Sequence, residues 1–150
     1  MVVFIIWSGW IWEKLNKTKD EVQMIKYLKS RITSFKHAIK GLVFVLRSQQ
    51  NAHLHLIATV IVIVLSLWLE LSLENWIFLL LVVGMVWIAE FLNTALEIIV
   101  DLASPDQHPL AKVGKDVGAA AVLIAAIIAL AIGMMILGPA LLTKLNINLI

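Results

Sequence analysis

The chain has no cysteine, which excludes a disulfide scaffold and any thiol nucleophile or thiolate metal site. Charge is also scarce: Asp, Glu, Lys and Arg make up 15% of the 150 residues, against ~25% in a typical water-soluble domain. The net charge of +2 is too small to imply a nucleic-acid partner. With only seven glycines and three prolines, the chain is neither collagen-like nor a low-complexity linker. What it has in excess is apolar side chains, 61% of the total with a mean hydropathy of +0.96. The length suits one domain, and a surface this apolar belongs in lipid. The composition describes an all-α integral membrane protein.

A membrane-crossing helix needs ~20 mostly apolar residues, and three stretches supply them. They run over about 52–69, 76–100 and 117–137. Glu70, Ser72, Glu74 and Asn75 separate the first two, and a longer polar loop from Asp101 to Asp116 separates the second and third. Basic residues stay on the cytoplasmic side of a bilayer. Nine precede the first span (Lys14, Lys17, Lys19, Lys26, Lys29, Arg31, Lys36, Lys40 and Arg47), two lie in the second loop (Lys112 and Lys115), and one lies in the tail (Lys144). The expected topology puts the N-terminus and second loop in the cytoplasm, and the Glu70–Asn75 turn and C-terminus outside.

Before the first span, Ile25, Leu28, Ile32, Phe35, Ile39, Leu42, Val43 and Leu46 recur at three- and four-residue steps among lysines. This predicts an amphipathic surface helix over about 26–47, suited to an anionic leaflet or to packing on the bundle. Met1 to Trp12 is apolar, with Trp7, Trp10 and Trp12, but at ~1.5 Å per residue it is too short to cross. It lacks a basic start and a small-residue cleavage site, so it is not expected to be a signal peptide. Residues 1–25 are expected to be an extension of no assigned role, ahead of a domain over 26–150.

The second span interrupts its apolar run with Glu90, Asn93, Glu97 and Asp101, spaced 3, 4 and 4. That spacing stacks them on one helix face. Ionisable groups inside a membrane cost ~2.5–3.5 kcal/mol each on insertion scales and mark functional sites. Glu90 lies ~15 Å along the helix from Val100 by the α-helical rise, so the stripe descends from headgroup level into the acyl region. A lipid hydroxyl and a cytoplasmic nucleotide can meet there, and two carboxylates with an amide can hold a divalent ion and take up a proton. The same stripe equally suits a packing network, an ion path or an oligomer seam.

Lys112, Lys115 and Asp116 precede the third span, whose helix is expected to start near Asp116 and favour an anion there; the two lysines also satisfy the positive-inside bias. Ala121, Ala125, Ala129 and Gly133, with Gly114 and Gly118, form small ridges that permit close helix approach. No complete P-loop, G-x-G-x-x-G, H-R-D or D-F-G motif occurs, and His53 and His55 are two apart, on different sides of a helix.

The run from Glu90 through Asn93, Thr94 and Glu97 to Asp101 resembles the signature of the small bacterial membrane kinases, the diacylglycerol kinase and undecaprenol kinase family. So does the run from Ser104 through His108, Lys112 and Lys115 to Asp116, as do Phe35 to Ala38 with Gly41, and Asn51 with His55. The resemblance covers about Ser34 to Gly133. It implies three transmembrane helices with a surface helix, a homotrimer with sites shared between subunits, and Mg²⁺-dependent phosphorylation of a lipid alcohol by ATP. It assigns Glu90 as general base, Glu97 as metal ligand, Asn93 as site organiser, Lys115 as phosphate contact and Asp116 as its partner at the nucleotide. Where the family often has a metal-binding glutamate, this chain has Gln49, an oxygen donor without charge. His53 stands at a position that is usually more basic. The Ser-Pro-Asp-Gln-His-Pro loop leans towards undecaprenol over diacylglycerol. The competing reading is a non-enzymatic or degenerate membrane protein that uses the stripe for packing or lipid binding. A continuous ion path is disfavoured, because Trp76 to Ala89 carries no polar residue on the line of the stripe.

Overall fold

A computed structural model describes residues 2–105 and 108–146, with side chains from Glu21 onward. The described chain is all helical: α1 (Val2–Ser48), α2 (Gln50–Trp68), α3 (Leu73–Ala103) and α4 (Pro109–Lys144). It divides into two compact units, one ending at Phe44 and the other starting at Val45.

The first unit is a single helix. The sequence suggests a separate apolar stub at Met1–Trp12 and a surface helix starting near residue 26, but α1 runs unbroken from Val2. The first proline of the chain is Pro105, so nothing in α1 removes an amide donor and stops the helix. The side chains of Trp7, Trp10 and Trp12 lie outside the described residues. Ile25, Leu28, Ile32, Phe35 and Ile39 are exposed, and the Arg31 guanidinium covers the Tyr27 ring at 4.7 Å, one helical turn away.

The second unit carries the three long apolar helices, each of a length and composition able to cross a membrane. A long apolar helix stands at each expected span; α3 and α4 run past the expected bounds at both ends, whereas α2 starts two residues earlier and ends one residue short. At ~1.5 Å per residue, the 31 residues of α3 and 36 of α4 extend ~46 and ~54 Å, beyond a hydrocarbon core of ~30 Å. Both helices are therefore longer than a crossing requires. Gln49 (φ −105°, ψ 120°) is the single extended residue between α1 and α2. Glu70, in the left-handed region at φ 55°, turns the chain between α2 and α3; Lys144 Nζ meets its carboxylate at 3.0 Å. Ser72 caps α3 by accepting from the Asn75 amide.

The start of α4 corrects an expectation. The helix begins at Pro109, not near Asp116, with the His108 ring Nδ1 accepting from the Leu110 amide at 3.2 Å. Proline is favoured at the first helical position because its missing N–H would have no partner there. Lys112, Lys115 and Asp116 consequently lie within the helix, and Asp116 offers no free helix N-terminus to an anion. Asp106 and Gln107 of the preceding loop lie outside the described residues.

The packing is centred on α3, which contacts α4 extensively and α2 less so. Its buried residues are Leu79, Val82, Val86, Glu90, Asn93 and Thr94, a three–four rhythm that occupies one face. Val122 and Ala125 of α4 and Ala52 of α2 complete a small core. Large apolar side chains elsewhere, such as Leu81, Ile88, Leu92 and Ile99 on the other faces of α3, are exposed. That arrangement fits a lipid solvent, in which apolar exposure carries no penalty.

Candidate active site

The acidic stripe is the continuation of the buried face of α3. Glu90 is 1% exposed and Asn93 7%; Glu97 is half-buried, and Asp101 is at the surface. The stripe thus grades from dry to wet over three helical turns.

Its middle is an amide–carboxylate cluster. Glu97 accepts through Oε1 from Asn93 Nδ2 at 3.1 Å and through Oε2 from Gln49 Nε2 at 3.3 Å. The Gln49 side chain reaches α3 because its backbone is extended between two helices and its side chain does not cap α2. Behind Asn93 lies Gly118 of α4. A Cβ there would collide with Asn93 Oδ1 and stand 2.8 Å from Leu96 Cδ2, so this position holds the two helices at a separation that only glycine allows. Asn93 Oδ1 is buried and has no hydrogen-bond partner.

One turn deeper, Glu90 Oε2 faces His55 Nε2 of α2 at 3.7 Å. Both atoms are buried and unpartnered, and the gap exceeds a hydrogen bond. Two cavities meet at His55. The larger, about 630 Å³, runs between α2, α3 and α4 and is walled by apolar side chains such as Val86, Ala129, Leu130 and Leu137. The smaller, about 210 Å³, includes Asn51 and Asn93 in its wall.

At the surface end, Lys115 Nζ binds both oxygens of Asp101, at 2.8 and 3.0 Å. This joins α4 to the last turn of α3. Asp116 is exposed on the next residue of α4. Among the described residues, no three His, Asp or Glu side chains are grouped to hold a metal ion.

Of the residues singled out in the sequence, Gln49, Asn93 and Glu97 are in direct contact. Glu90 sits just beyond them, and Lys115 and Asp116 flank the outer end. Three features escaped sequence reasoning. His55 is an ionisable group inside an apolar run, which is itself a signal, but its apposition to Glu90 joins residues 35 apart in sequence and has no spacing signature. Gly118, read only as part of a packing ridge, abuts the site amide. Asp101 and Lys115 pair across the loop between α3 and α4, and no periodicity announces that contact.

The family profile described as "Prokaryotic diacylglycerol kinase" matches residues 36–137. The chain belongs to this family. The matched region lies close to the Ser34–Gly133 span in which the sequence carries the resemblance, and it includes every contact of the cluster. Among curated proteins, the chain is 39% identical over 106 residues to "Undecaprenol kinase" of Bacillus subtilis (strain 168), an alignment covering 71% of this chain and 86% of that one. It is 40% identical over 113 residues to a "Diacylglycerol kinase" of Synechocystis sp., covering 75% of this chain and 65% of the relative. It is 38% identical over 73 residues to "Diacylglycerol kinase" of Escherichia coli (strain K12), covering 49% and 60% respectively. The chain is a membrane protein of a lipid kinase family.

Proposed function

We propose that the chain transfers the γ-phosphate of ATP to the hydroxyl of a lipid alcohol at the cytoplasmic face of a bacterial inner membrane. The observation that carries this reading is the buried Glu90 carboxylate, unpartnered at one oxygen and 3.7 Å from His55, whose ring lines both the apolar cavity and the smaller one that Asn93 also lines. A lipid alcohol has both parts that this junction accommodates, an apolar chain and one O–H.

Phosphoryl transfer asks the protein for position, charge neutralisation and a proton acceptor. Glu90 takes the hydroxyl proton as the oxygen attacks. Asn93 fixes the Glu97 carboxylate by hydrogen bond, with Gly118 fixing Asn93. Lys115, released from Asp101, turns to the nucleotide phosphates, with Asp116 beside it. The donor set at this place is the Glu97 carboxylate with the Gln49 amide beside it, oxygen ligands of the kind Mg²⁺ accepts when nucleotide phosphates and water fill the remaining positions. Glu97 and Gln49 are the residues that would hold it, and when bound it neutralises charge on the transferring phosphate.

The surface helix over about 26–47 lies on the inner leaflet in this reading, with the N-terminus inside, the C-terminus outside, and three copies forming a homotrimer with shared sites. The basic residues ahead of α2 and the exposed apolar faces of the second unit support that arrangement. Undecaprenol is the preferred lipid. In its favour are the loop ending at His108–Pro109 and the undecaprenol kinase relative, 86% of whose length is aligned.

Label transfer from γ-labelled ATP to undecaprenol and to diacylglycerol in matched mixed micelles tests this reading. The expected outcome is transfer to both classes or to one, with undecaprenol faster, and abolished turnover in Glu97→Gln with the trimer retained. No transfer to either lipid, or full activity in Glu97→Gln, contradicts it.

A further inference from the structure

We propose that His55 is a catalytic residue that holds the acceptor hydroxyl against Glu90, so that the lipid oxygen is bound between α2 and α3. The inference rests on Glu90 as the proton acceptor and assigns the second partner of that hydroxyl.

Three observations converge on His55. First, its Nε2 and the Glu90 Oε2 are each buried, each without a hydrogen-bond partner, and 3.7 Å apart. An unsatisfied buried polar atom costs ~1–3 kcal/mol, and here two face the same point. A hydroxyl oxygen at ~2.8 Å from each spans that gap and satisfies both. It donates its proton to the carboxylate and accepts Nε2–H at a lone pair. Second, His55 lines both cavities. A molecule with its chain in the 630 Å³ apolar cavity and its head towards Asn51 and Asn93 therefore passes the ring. Third, the ring is braced from behind. Trp87 meets it edge-on with centroids 6.2 Å apart and donates Nε1–H to Thr59 Oγ1 at 3.0 Å. The Thr59 hydroxyl in turn donates to the His55 carbonyl at 2.7 Å. The closed circuit through Thr59 and Trp87 fixes both the backbone and the plane of the histidine, as preorganised catalysis requires.

In the reaction, the lipid O–H bond breaks and its proton goes to Glu90 Oε2. The oxygen forms a bond to the γ-phosphorus, and the bond from that phosphorus to the β–γ bridging oxygen breaks, releasing ADP. His55 Nε2–H stays on the lipid oxygen while negative charge develops there. It gives up no proton and needs no co-reactant.

The test uses the full chain in mixed micelles, comparing wild type, His55→Gln and His55→Leu. Glutamine offers an N–H at about the reach of Nε2; leucine fills space without one. The expected result is a fall in kcat of about 100-fold in His55→Leu, the usual cost of one lost donor at a reacting oxygen. The KM for MgATP stays within twofold of wild type, and His55→Gln restores at least a tenth of the wild-type kcat. Wild-type kcat in His55→Leu overturns the proposal. So does an equal loss in both variants, or failure of both to assemble, since either makes the ring a packing element only. Absence of lipid phosphorylation by the wild type would instead strike at the kinase reading itself.

Discussion

The inward face of α3 has two halves that share one pitch yet do opposite things. From Leu79 to Val86 the face is apolar and packs, with Leu79 2% exposed. From Glu90 to Asp101 the same line carries Glu90, Asn93, Glu97 and Asp101, and the partners change with it. Opposite the dry half lies an apolar cavity wall; opposite the polar half lie His55, Gln49, Gly118 and Lys115. Geometry alone therefore does not separate scaffold from site. What separates them is whether each buried polar atom is satisfied. The cluster around Glu97 is cross-braced, whereas Glu90 Oε2, His55 Nε2 and Asn93 Oδ1 are left without partners. Ser66 Oγ of α2 is buried and unpartnered as well, so it is the gathering of three such atoms at one place that marks the site, since a half-satisfied packing network is worse than an apolar core.

Substitutions placed along this face sharpen the contrast. The largest effect among the bracing positions is expected at Gly118→Ala. The added methyl must turn the Asn93 amide away, which breaks its bond to Glu97. Supporting residues of metal and phosphate sites typically cost about 10–100-fold when lost. Steady-state kinetics should show that loss with the oligomer unchanged, and unaltered kcat and MgATP KM would remove Gly118 from the site. A smaller change of opposite sign is expected at Gln49→Glu. Replacing the amide next to Glu97 with a second carboxylate should lower the Mg²⁺ concentration for half-maximal rate by about tenfold, because added ligand charge tightens hard-cation sites. A Mg²⁺ titration that does not move, or moves upward, separates Gln49 from the metal. The smallest effect on turnover belongs to the dry half. Leu79→Ala should lower the melting temperature in detergent and, because Leu79 lines the larger cavity, raise the lipid KM while leaving kcat unchanged. A kcat loss without destabilisation would erase the distinction between the halves.

The sequence made the polar half legible for a physical reason. Charged residues in a lipid-facing helix are expensive, so Glu90, Asn93 and Glu97 stand out against the apolar residues around them. The three spans are legible for the same reason. Their ends are not, because hydropathy senses the apolar stretch, while the backbone goes on hydrogen-bonding as helix beyond it. The start of α4 shows how this misleads. Lys112, Lys115 and Asp116 look like loop by charge, whereas His108 and Pro109 hold the actual capping chemistry. The contacts that complete the site were invisible for a different reason. His55 to Glu90, Gly118 to Asn93 and Lys115 to Asp101 each join two helices, and helix-to-helix register leaves no mark in the local spacing of either partner.

The central claim is that Glu90 accepts the proton of a lipid hydroxyl at the meeting of the two halves. The most direct measurement is γ-phosphate transfer to lipid by Glu90→Gln, which keeps the shape and removes the base. A positioned general base contributes about 100- to 10,000-fold, so kcat should fall by at least about 100-fold while assembly and MgATP KM hold. Transfer by Glu90→Gln at the wild-type rate would contradict it.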